Sequence, residues 1–261
     1  MSADGRLVLA HLSDPHLGAH LPAAARALVA DVAAAAPDLT VVTGDLTMRA
    51  RPEQFRQARV LLDQLPHPSL VVPGNHDLPL TNPVARFVAP YHGYRRFVAE
   101  TLTPVVVLPD AVVCGVSSMP RWRWKSGRVG RGQADRLVRL MRRAPAAAVR
   151  IVAMHHPLSV RGPAGVVGRG RLLHALERAG VDLILTGHTH VPAVHPIRLA
   201  GDRRVLEVTA GTATSVRTRG ATQSWTLLHI DPQQATVRVE PRFYDGYGWY
   251  CGAAVVLTLR G

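Results

Sequence analysis

The feature that most constrains this chain is a regular alternation of short, apolar, β-branched segments with amphipathic segments of helical periodicity. Segments 7–10, 39–42 and 70–72 have the pattern of buried strands, and segments 22–36 and 52–65, each opened by a proline, have that of helices. This β-α-β-α-β order predicts a parallel sheet covered by helices. With 261 residues, 47% of them hydrophobic, the chain can bury such a core. We therefore expect an α/β fold.

The same alternation continues to about residue 190, after which only strands are predicted. The pair 105–107 and 111–113, separated by a short turn, predicts a hairpin. No linker or internal repeat divides the chain, so residues 1–261 are expected to form a single domain. Further helices are predicted at 84–100, 133–143 and 171–179, and further strands at 151–154, 182–185, 193–199, 203–208, 225–230 and 236–240.

The sequence favours a cytoplasmic location. Its apolar runs fall short of the roughly 20 residues that a membrane-spanning helix needs. The first residues also lack the cleavage pattern of a secretory signal peptide. Cys114 and Cys251, the two cysteines, each lie in an apolar segment and are expected to be buried free thiols.

Polar residues of metal-binding type follow five of the predicted strands. The carboxyl ends of parallel strands lie along one edge of a sheet, so motifs distant in sequence are expected to meet in one crevice. Carboxylates, imidazoles and an amide, with no thiolate, suit hard to borderline divalent metal ions. The five motifs are Asp14-Pro15-His16, Gly44-Asp45, Gly74-Asn75-His76-Asp77, His155-His156-Pro157 and Gly187-His188-Thr189-His190.

This series of motifs is similar to that of the calcineurin-like metallophosphoesterase superfamily, and the similarity covers nearly the whole chain. Segments 117–120 and 211–215 resemble the bacterial branch that hydrolyses cyclic nucleotides and glycerophosphodiesters. The resemblance implies a β-sheet sandwich flanked by helices, in α-β-β-α layers. It also implies a dinuclear centre of two divalent metal ions, with manganese, iron, zinc and cobalt all compatible with the residue types.

The resemblance further implies a role for each motif residue. His76 is implied to be catalytic, stabilising charge at the substrate phosphate or protonating the leaving alkoxide. Asp77 is expected to cap or orient its turn, and His156 to support a neighbouring metal ligand. The implied ligands are Asp14, His16 and His190 for one ion, Asn75, His155 and His188 for the other, and Asp45 as the bridge between them.

The implied function is metal-dependent hydrolysis of phosphoesters, of the cyclic-nucleotide or glycerophosphodiester type, by a hydroxide that bridges the two ions. One alternative is a hydrolase of a lipid phosphoester or lipid-linked pyrophosphate that docks at a membrane, and a nuclease is another. A non-catalytic scaffold with the same fold is a competing class. Such scaffolds usually lose metal ligands, and none of the seven implied here is missing.

Basic residues are concentrated in the second half of the chain. The sequence has 31 Lys and Arg against 18 Asp and Glu, and nine of these cations lie between Arg121 and Arg143, with Asp135 as the only acid there. The segment Arg121-Trp-Arg-Trp-Lys-Ser-Gly-Arg128 interleaves cations with tryptophans. Two interpretations stay open: a solvated insertion whose tryptophans pack inward, or a surface for lipid or another polyanion. The expected partner is a small phosphodiester, and an anionic membrane surface, nucleic acid and a second copy of the chain are left open.

Overall fold

The computed structural model describes residues 6–199 and 203–259. Within them, helices and strands alternate to about residue 190, and only strands follow. The helices are α1 (Pro22–Ala34), α2 (Pro52–Gln64), α3 (Pro83–Val88), α4 (His92–Phe97), α5 (Arg131–Met141) and α6 (Arg169–Ala179). The strands are β1 (Leu7–Leu12), β2 (Leu39–Val42), β3 (Ser69–Val71), β4 (Val105–Leu108), β5 (Ala111–Gly115), β6 (Gly127–Arg128), β7 (Val149–Ala153), β8 (Val166–Val167), β9 (Leu183–Thr186), β10 (Ala193–Arg198), β11 (Arg204–Thr209), β12 (Ser224–Asp231), β13 (Thr236–Tyr244), β14 (Trp249–Cys251) and β15 (Val255–Thr258).

The first sheet has the strand order β14-β13-β12-β1-β2-β3, and β15 also pairs with β13. Strands β1, β2 and β3 are parallel, with Leu9 opposite Leu39 and Thr40 opposite Ser69. β12 runs antiparallel to β1. The carboxyl ends of the three parallel strands therefore lie together at one edge of this sheet.

The second sheet has the order β10-β11-β9-β7-β5-β4. Its four central strands are parallel, and the predicted hairpin forms its β4–β5 edge. At the other edge, β10 runs antiparallel to β11. The short strands β6 and β8 pair separately as a small ribbon.

Three apolar clusters hold the sheets and helices in four layers. The central cluster joins Leu9 of the first sheet to Ile151 of the second, so the sheets pack face to face. Phe55 of α2 packs on the outer face of the first sheet. Leu137 of α5 and Leu176 of α6 pack on the outer face of the second. This arrangement confirms the predicted α-β-β-α sandwich.

Sequence patterning was wrong about one helix and missed several short strands. The helix predicted at 84–100 is two helices, α3 and α4, because Ala89 leaves the helical conformation and Pro90 has no backbone N–H to continue the ladder. The strands β6, β8, β14 and β15 were not predicted. β6 and β8 have only two residues each, too few for a recognisable pattern. β14 and β15 are mostly exposed and lack the buried pattern of the predicted strands.

The two cysteines lie in different environments. Cys114 is a buried free thiol, as expected, and burial raises its pKa to about 11. Cys251 is also free, but it is exposed, so the expectation of a buried thiol is wrong there. It lies on β14, at the end of the first sheet, where two of the three residues are exposed. Among the described residues, no helix combines the length and apolar character needed to cross a membrane.

Candidate metal centre

The five polar motifs converge at one edge of the sandwich, contributed by three strands of the first sheet and two of the second. The seven residues expected to bind metal are buried, and His76 is half-buried. The convergence of strand ends thus brings together every residue that the sequence singled out. Asp14 and His16 follow β1, Asp45 follows β2, Asn75 and His76 follow β3, His155 follows β7, and His188 and His190 follow β9.

The backbone at this centre is strained. Asp14, His16, Asp45, His188 and His190 have φ values of 51°, 49°, 52°, 70° and 64°, in the left-handed region. For a residue other than glycine, that conformation costs on the order of 1–3 kcal/mol. The surrounding packing must hold these five residues in place, so their side chains are oriented before any ligand arrives.

Two glycines let the strand ends approach one another closely. A Cβ at Gly187 would collide with the side chains of Ser13 and Asp14. A Cβ at Gly74 would collide with the Asp45 carboxylate. These positions need glycine because of close contact, although neither has a positive φ.

Asp14, His16 and His190 form the first group of facing atoms. Asp14 Oδ1 lies 3.1 Å from His190 Nε2 and 3.6 Å from His16 Nε2, and the two imidazole nitrogens are 3.1 Å apart. The other oxygen, Asp14 Oδ2, accepts hydrogen bonds from Ser13 Oγ at 2.6 Å and from the His188 backbone N–H at 2.8 Å. One oxygen therefore fixes the carboxylate while the other faces the imidazoles.

His155 is the middle of the second group. Its Nε2 lies 3.2 Å from Asn75 Oδ1, 3.2 Å from His188 Nδ1 and 3.3 Å from Asp45 Oδ2. The rings of His155 and His188 are nearly perpendicular, at 79°. Asn75, His155 and His188 are the three residues that the resemblance assigns to a second ion.

Asp45 lies between the two groups. Its Oδ2 is 3.3 Å from His155 Nε2 and 3.7 Å from His16 Nε2. Its Oδ1 accepts a hydrogen bond of 2.7 Å from the His76 backbone N–H. As with Asp14, one oxygen is anchored to the backbone and the other faces the centre, here in the position of a bridge.

The ligand atoms suit metal ions because several acceptor atoms, each with a lone pair, face one another across the centre. His155 Nδ1 donates to the Thr43 carbonyl at 2.7 Å, and His190 Nδ1 donates to the Arg217 carbonyl. A carbonyl only accepts, so the hydrogen is on Nδ1 and the Nε2 lone pair of each ring points inward. His155 Nε2 then faces Asn75 Oδ1, another acceptor. A proton or a cation must lie among these atoms to hold them together.

Electrostatics agree with a cation-binding site. Burial opposes ionisation of Asp14 and Asp45, yet the charge of His155 and the contacts of neighbouring histidines keep both carboxyl pKa values below the ordinary range. Burial likewise opposes protonation of His155, but the two carboxylates raise its pKa to about 9. Burial and the charge of His155 lower the pKa of His188 to about 4. The pair of buried carboxylates thus draws positive charge inward, and a divalent ion would displace the proton from His155.

His76 differs from the other seven residues. Its Nδ1 donates to the Met48 carbonyl at 2.8 Å, which leaves Nε2 as the free ring nitrogen. Its ring stands edge-on to that of His16, with centroids 4.8 Å apart. It is also the least buried of the eight, so it is the one placed to meet a substrate.

Asp77 orients the turn that carries Asn75 and His76. Its carboxylate accepts hydrogen bonds from the backbone N–H groups of Leu46, Thr47 and Gly74, at 3.2, 2.9 and 2.9 Å. These contacts tie the end of β3 to the end of β2. The side chain therefore has the orienting role expected from the sequence.

His156 cannot act as a further ligand in this arrangement, although it adjoins His155 and His188. Its Nε2 donates to the Lys125 carbonyl at 2.8 Å, and its Nδ1 accepts from Ser118 Oγ at 2.8 Å. Both ring nitrogens are thus occupied. His156 instead packs behind the second group, 4.6 Å between ring centroids from His188.

Two arginines beside the centre were not found from the sequence. Arg217 supplies the carbonyl for His190 and extends its guanidinium to 3.8 Å from Met48 Sδ, next to the carbonyl that holds His76. Arg219 donates to the His188 carbonyl at 3.4 Å. Both side chains are exposed and lie in a loop without regular structure. No periodicity could have shown which way they face, and only their position after segment 211–215 pointed here.

Two other histidines near the motifs have separate locations. His20 is half-buried and forms an isolated bridge with Ser215. His92 is exposed at the beginning of α4.

Comparison with known proteins agrees with the fold and the motifs. Residues 7–192 match the sequence model of the family described as calcineurin-like phosphoesterase. A stretch of 41 residues is 49% identical to a glycerophosphodiester phosphodiesterase, GpdQ, of Enterobacter lignolyticus, but it spans only 16% of this chain and 15% of that protein.

Among solved structures, a purple acid phosphatase from yellow lupin seeds aligns with 97% of this chain and 54% of its own, at 14% identity and a TM-score of 0.72. The Plasmodium protein GAP50 aligns with 97% of this chain and 89% of its own, at 12% identity and a TM-score of 0.65. At such identities the likeness concerns the fold. The chain spans about half of the lupin enzyme.

Proposed function

This chain belongs to the calcineurin-like phosphoesterase family, and we propose that it is a phosphodiesterase whose two metal ions bind at the strand-end centre. The observation that carries the proposal is the position of Asp45, with one carboxylate oxygen facing both groups of ligand atoms. We assign Asp14, His16 and His190 to one ion and Asn75, His155 and His188 to the other, with Asp45 shared. Residues 1–261 are proposed to form one domain around this centre.

Two divalent ions at this centre would supply Lewis-acid polarisation of the phosphoryl oxygens and would lower the pKa of a water that attacks phosphorus. The protein holds the ligand atoms ready through backbone hydrogen bonds to Asp14, Asp45, His155 and His190. Manganese, iron, zinc and cobalt all suit a mixed set of carboxylate, imidazole and amide ligands.

His76 is proposed to donate a proton to the departing alkoxide. The Met48 carbonyl fixes its Nδ1–H, so Nε2 is the nitrogen that can exchange a proton at the open side of the centre. Arg217 spans from His190 to Met48 and is placed to contact a non-bridging phosphate oxygen. His76 would protonate the leaving group, and Arg217 would neutralise charge on the phosphate.

One observation favours a diester over a monoester. The local 49% identity is to an enzyme named for a glycerophosphodiester. Leaving-group protonation by His76 would serve an alkyl ester of either kind. Cyclic nucleotides and glycerophosphodiesters are both candidate substrates.

A lipid phosphoester or lipid-linked pyrophosphate is the second candidate substrate. The observation that favours it is the hydrogen bond from His156 to the Lys125 carbonyl, which brings the basic aromatic segment 121–128 next to the second group of ligands. Docking through that segment would bring the centre near a substrate embedded in a membrane.

Parallel turnover of soluble and lipid substrates tests the proposal. The protein is stripped of metal and supplied with manganese, iron, zinc or cobalt, and bis(4-nitrophenyl) phosphate, 4-nitrophenyl phosphate, cyclic AMP, a glycerophosphodiester and a lipid-linked pyrophosphate are compared. We expect metal-dependent turnover with the diesters preferred. A preference for the monoester would contradict the diesterase assignment, and inactivity with two ions bound would favour a scaffold.

A further inference from the structure

Helix α3 and the following basic aromatic segment form one surface whose outward side chains are apolar. Val88 is 77% exposed, Trp122 54% and Phe87 49%, and Val84 and Trp124 are exposed as well. We call these five residues the tryptophan–α3 surface. They belong to two segments more than 30 residues apart in sequence, so this is a surface assembled by the fold.

A buried arginine assembles this surface. The Arg86 side chain donates to the carbonyls of Pro79 at 3.0 Å and Arg121 at 2.9 Å, and also to that of Arg123. Its guanidinium lies 4.3 Å from the centre of the Trp124 ring. The orientation is thus the reverse of an ordinary surface helix: the cation of α3 points inward, and its valines and phenylalanine point to solvent.

The contact between the two segments is reciprocal. Arg121 Nη1 donates to the Phe87 carbonyl at 2.7 Å, while Arg86 holds the Arg121 carbonyl. The segment that carries the tryptophans is therefore hydrogen-bonded to α3 in both directions, with each element donating to the other. Trp124 packs against Arg86, as in the interpretation of a solvated insertion, whereas Trp122 is more than half exposed.

The elements that carry the surface and its groove are basic. Helices α3 and α4 and the segment 121–128 contain seven Lys and Arg and no Asp or Glu. A groove of about 540 Å³ lies along the surface, and its lining includes Tyr91, His92, Arg95 and Trp122. Cations and aromatic side chains thus surround an opening large enough for a polar headgroup.

We propose that the tryptophan–α3 surface docks on an anionic lipid bilayer, with its apolar side chains in the interface and its arginines on lipid phosphates. Trp with Arg is the pairing typical of membrane interfaces, and basic residues near the surface add attraction to anionic lipids. Exposed aliphatic side chains such as Val84 and Val88 gain from an acyl environment but not from a nucleic-acid backbone. Helix α5 is also basic, but its apolar residues are buried, so it has no exposed apolar side chains to insert into a membrane.

The tryptophan–α3 surface is connected to the metal centre through the basic aromatic segment. The same segment that carries Trp122 and Trp124 ends at Lys125, whose carbonyl is hydrogen-bonded to His156 behind the metal ligands. Gly127 lies against the same imidazole, where a Cβ would meet His156 Cβ at 2.8 Å. Docking would therefore hold the centre close to the plane of the lipid headgroups.

Vesicle flotation tests the proposal independently of catalysis. The full chain is mixed with phosphatidylcholine vesicles with or without phosphatidylglycerol, at low and high salt. The test variant is Val88→Ser with Trp122→Ser, and its matched control is Val60→Ser with Tyr247→Ser, two exposed apolar residues elsewhere. Two single variants test the role of charge: Arg95→Gln at the groove, and Arg139→Gln on α5 as its control. Turnover of a soluble diester and thermal unfolding check that each variant is folded.

We expect binding that requires phosphatidylglycerol, weakens with salt, and falls about tenfold or more in the Val88→Ser, Trp122→Ser variant. The control double variant should bind normally, and Arg95→Gln should weaken binding more than Arg139→Gln. Absence of binding to anionic vesicles, equal loss in both double variants, or binding to a single-stranded oligonucleotide in place of vesicles would overturn the proposal. Turnover that is lost while vesicle binding persists would count against the proposed function alone.

Discussion

The metal centre and the tryptophan–α3 surface are opposite departures from ordinary burial. At the centre, seven polar side chains are buried beside one another, and on the surface five large apolar side chains are exposed. The two regions also differ in how they are held. Backbone groups at the ends of β2, β3 and β9 and in the loop at Arg217 fix the ligands of the centre. Two arginine side chains, Arg86 and Arg121, join α3 to the basic aromatic segment.

This difference indicates where each region is vulnerable. Redundant anchoring means that the loss of one ligand at the centre should alter chemistry while the fold persists. The surface depends most on one buried cation, Arg86, which donates to three backbone carbonyls, so its organisation should be most sensitive to substitution there.

Asp45→Ala should have the largest effect, because it removes the one carboxylate that faces both groups of ligands. We expect turnover of every phosphoester to fall by at least the roughly 100- to 1,000-fold that loss of one transition-state contact costs. Steady-state kinetics at saturating manganese measure this. Asp63→Ala on the surface of α2 is the matched control. Retained turnover in Asp45→Ala would refute the assignment of the bridge.

His76→Ala should separate proton donation from metal binding. Metal content should remain near normal, and hydrolysis of alkyl diesters should slow by about 100-fold, with a smaller loss for 4-nitrophenyl esters. The activated aryl leaving group needs no proton, which is the reason for the difference. Kinetics on both ester types, with metal analysis, check this. An equal loss on the two would argue against a general acid.

Ser118→Ala should act through His156 and weaken metal binding. The hydroxyl holds His156 Nδ1, and we expect the metal dissociation constant to rise by about tenfold. Calorimetric titration with manganese measures it. Ser224→Ala is the control, since Ser224 Oγ is also buried but has no hydrogen-bond partner among the described residues. Similar manganese affinities in the two variants would show that His156 does not support metal binding.

Arg86→Met should affect the surface and spare the centre. Three backbone carbonyls would lose their donor, which should lower the free energy of unfolding by about 3 kcal/mol. Turnover of soluble diesters should change less than about twofold, while vesicle binding is lost. Denaturant unfolding and flotation measure the two effects, with Arg26→Met as the control. Normal vesicle binding in a destabilised Arg86→Met protein would show that the surface is not organised by this residue.

The residues of the metal centre could be predicted from the sequence because each of its motifs directly follows a predicted strand. Each motif follows a short apolar strand, and parallel strand ends meet at one edge, so Asp14 and His190 could be placed together although they lie 176 positions apart in the sequence. The four-layer fold followed from the same alternation. The ligand roles themselves came from the family resemblance.

The surface was not readable because it depends on contacts distant in sequence. Burial of Arg86 requires the carbonyls of Arg121 and Arg123, and helical periodicity alone predicts an exposed arginine on a short helix. The exposure of Cys251 at a sheet edge was missed for a related reason, since the spacing of apolar residues does not encode it. The division of segment 84–100 has a local cause instead, Pro90, which the sequence contains.

The central claim is that the strand ends hold two metal ions with Asp45 between them. Anomalous diffraction from crystals soaked in manganese tests it most directly. We predict two peaks, one contacted by Asp14, His16 and His190, the other by Asn75, His155 and His188, and both by Asp45. Fewer than two peaks there, or a peak ligated by His76 in place of these residues, would contradict it.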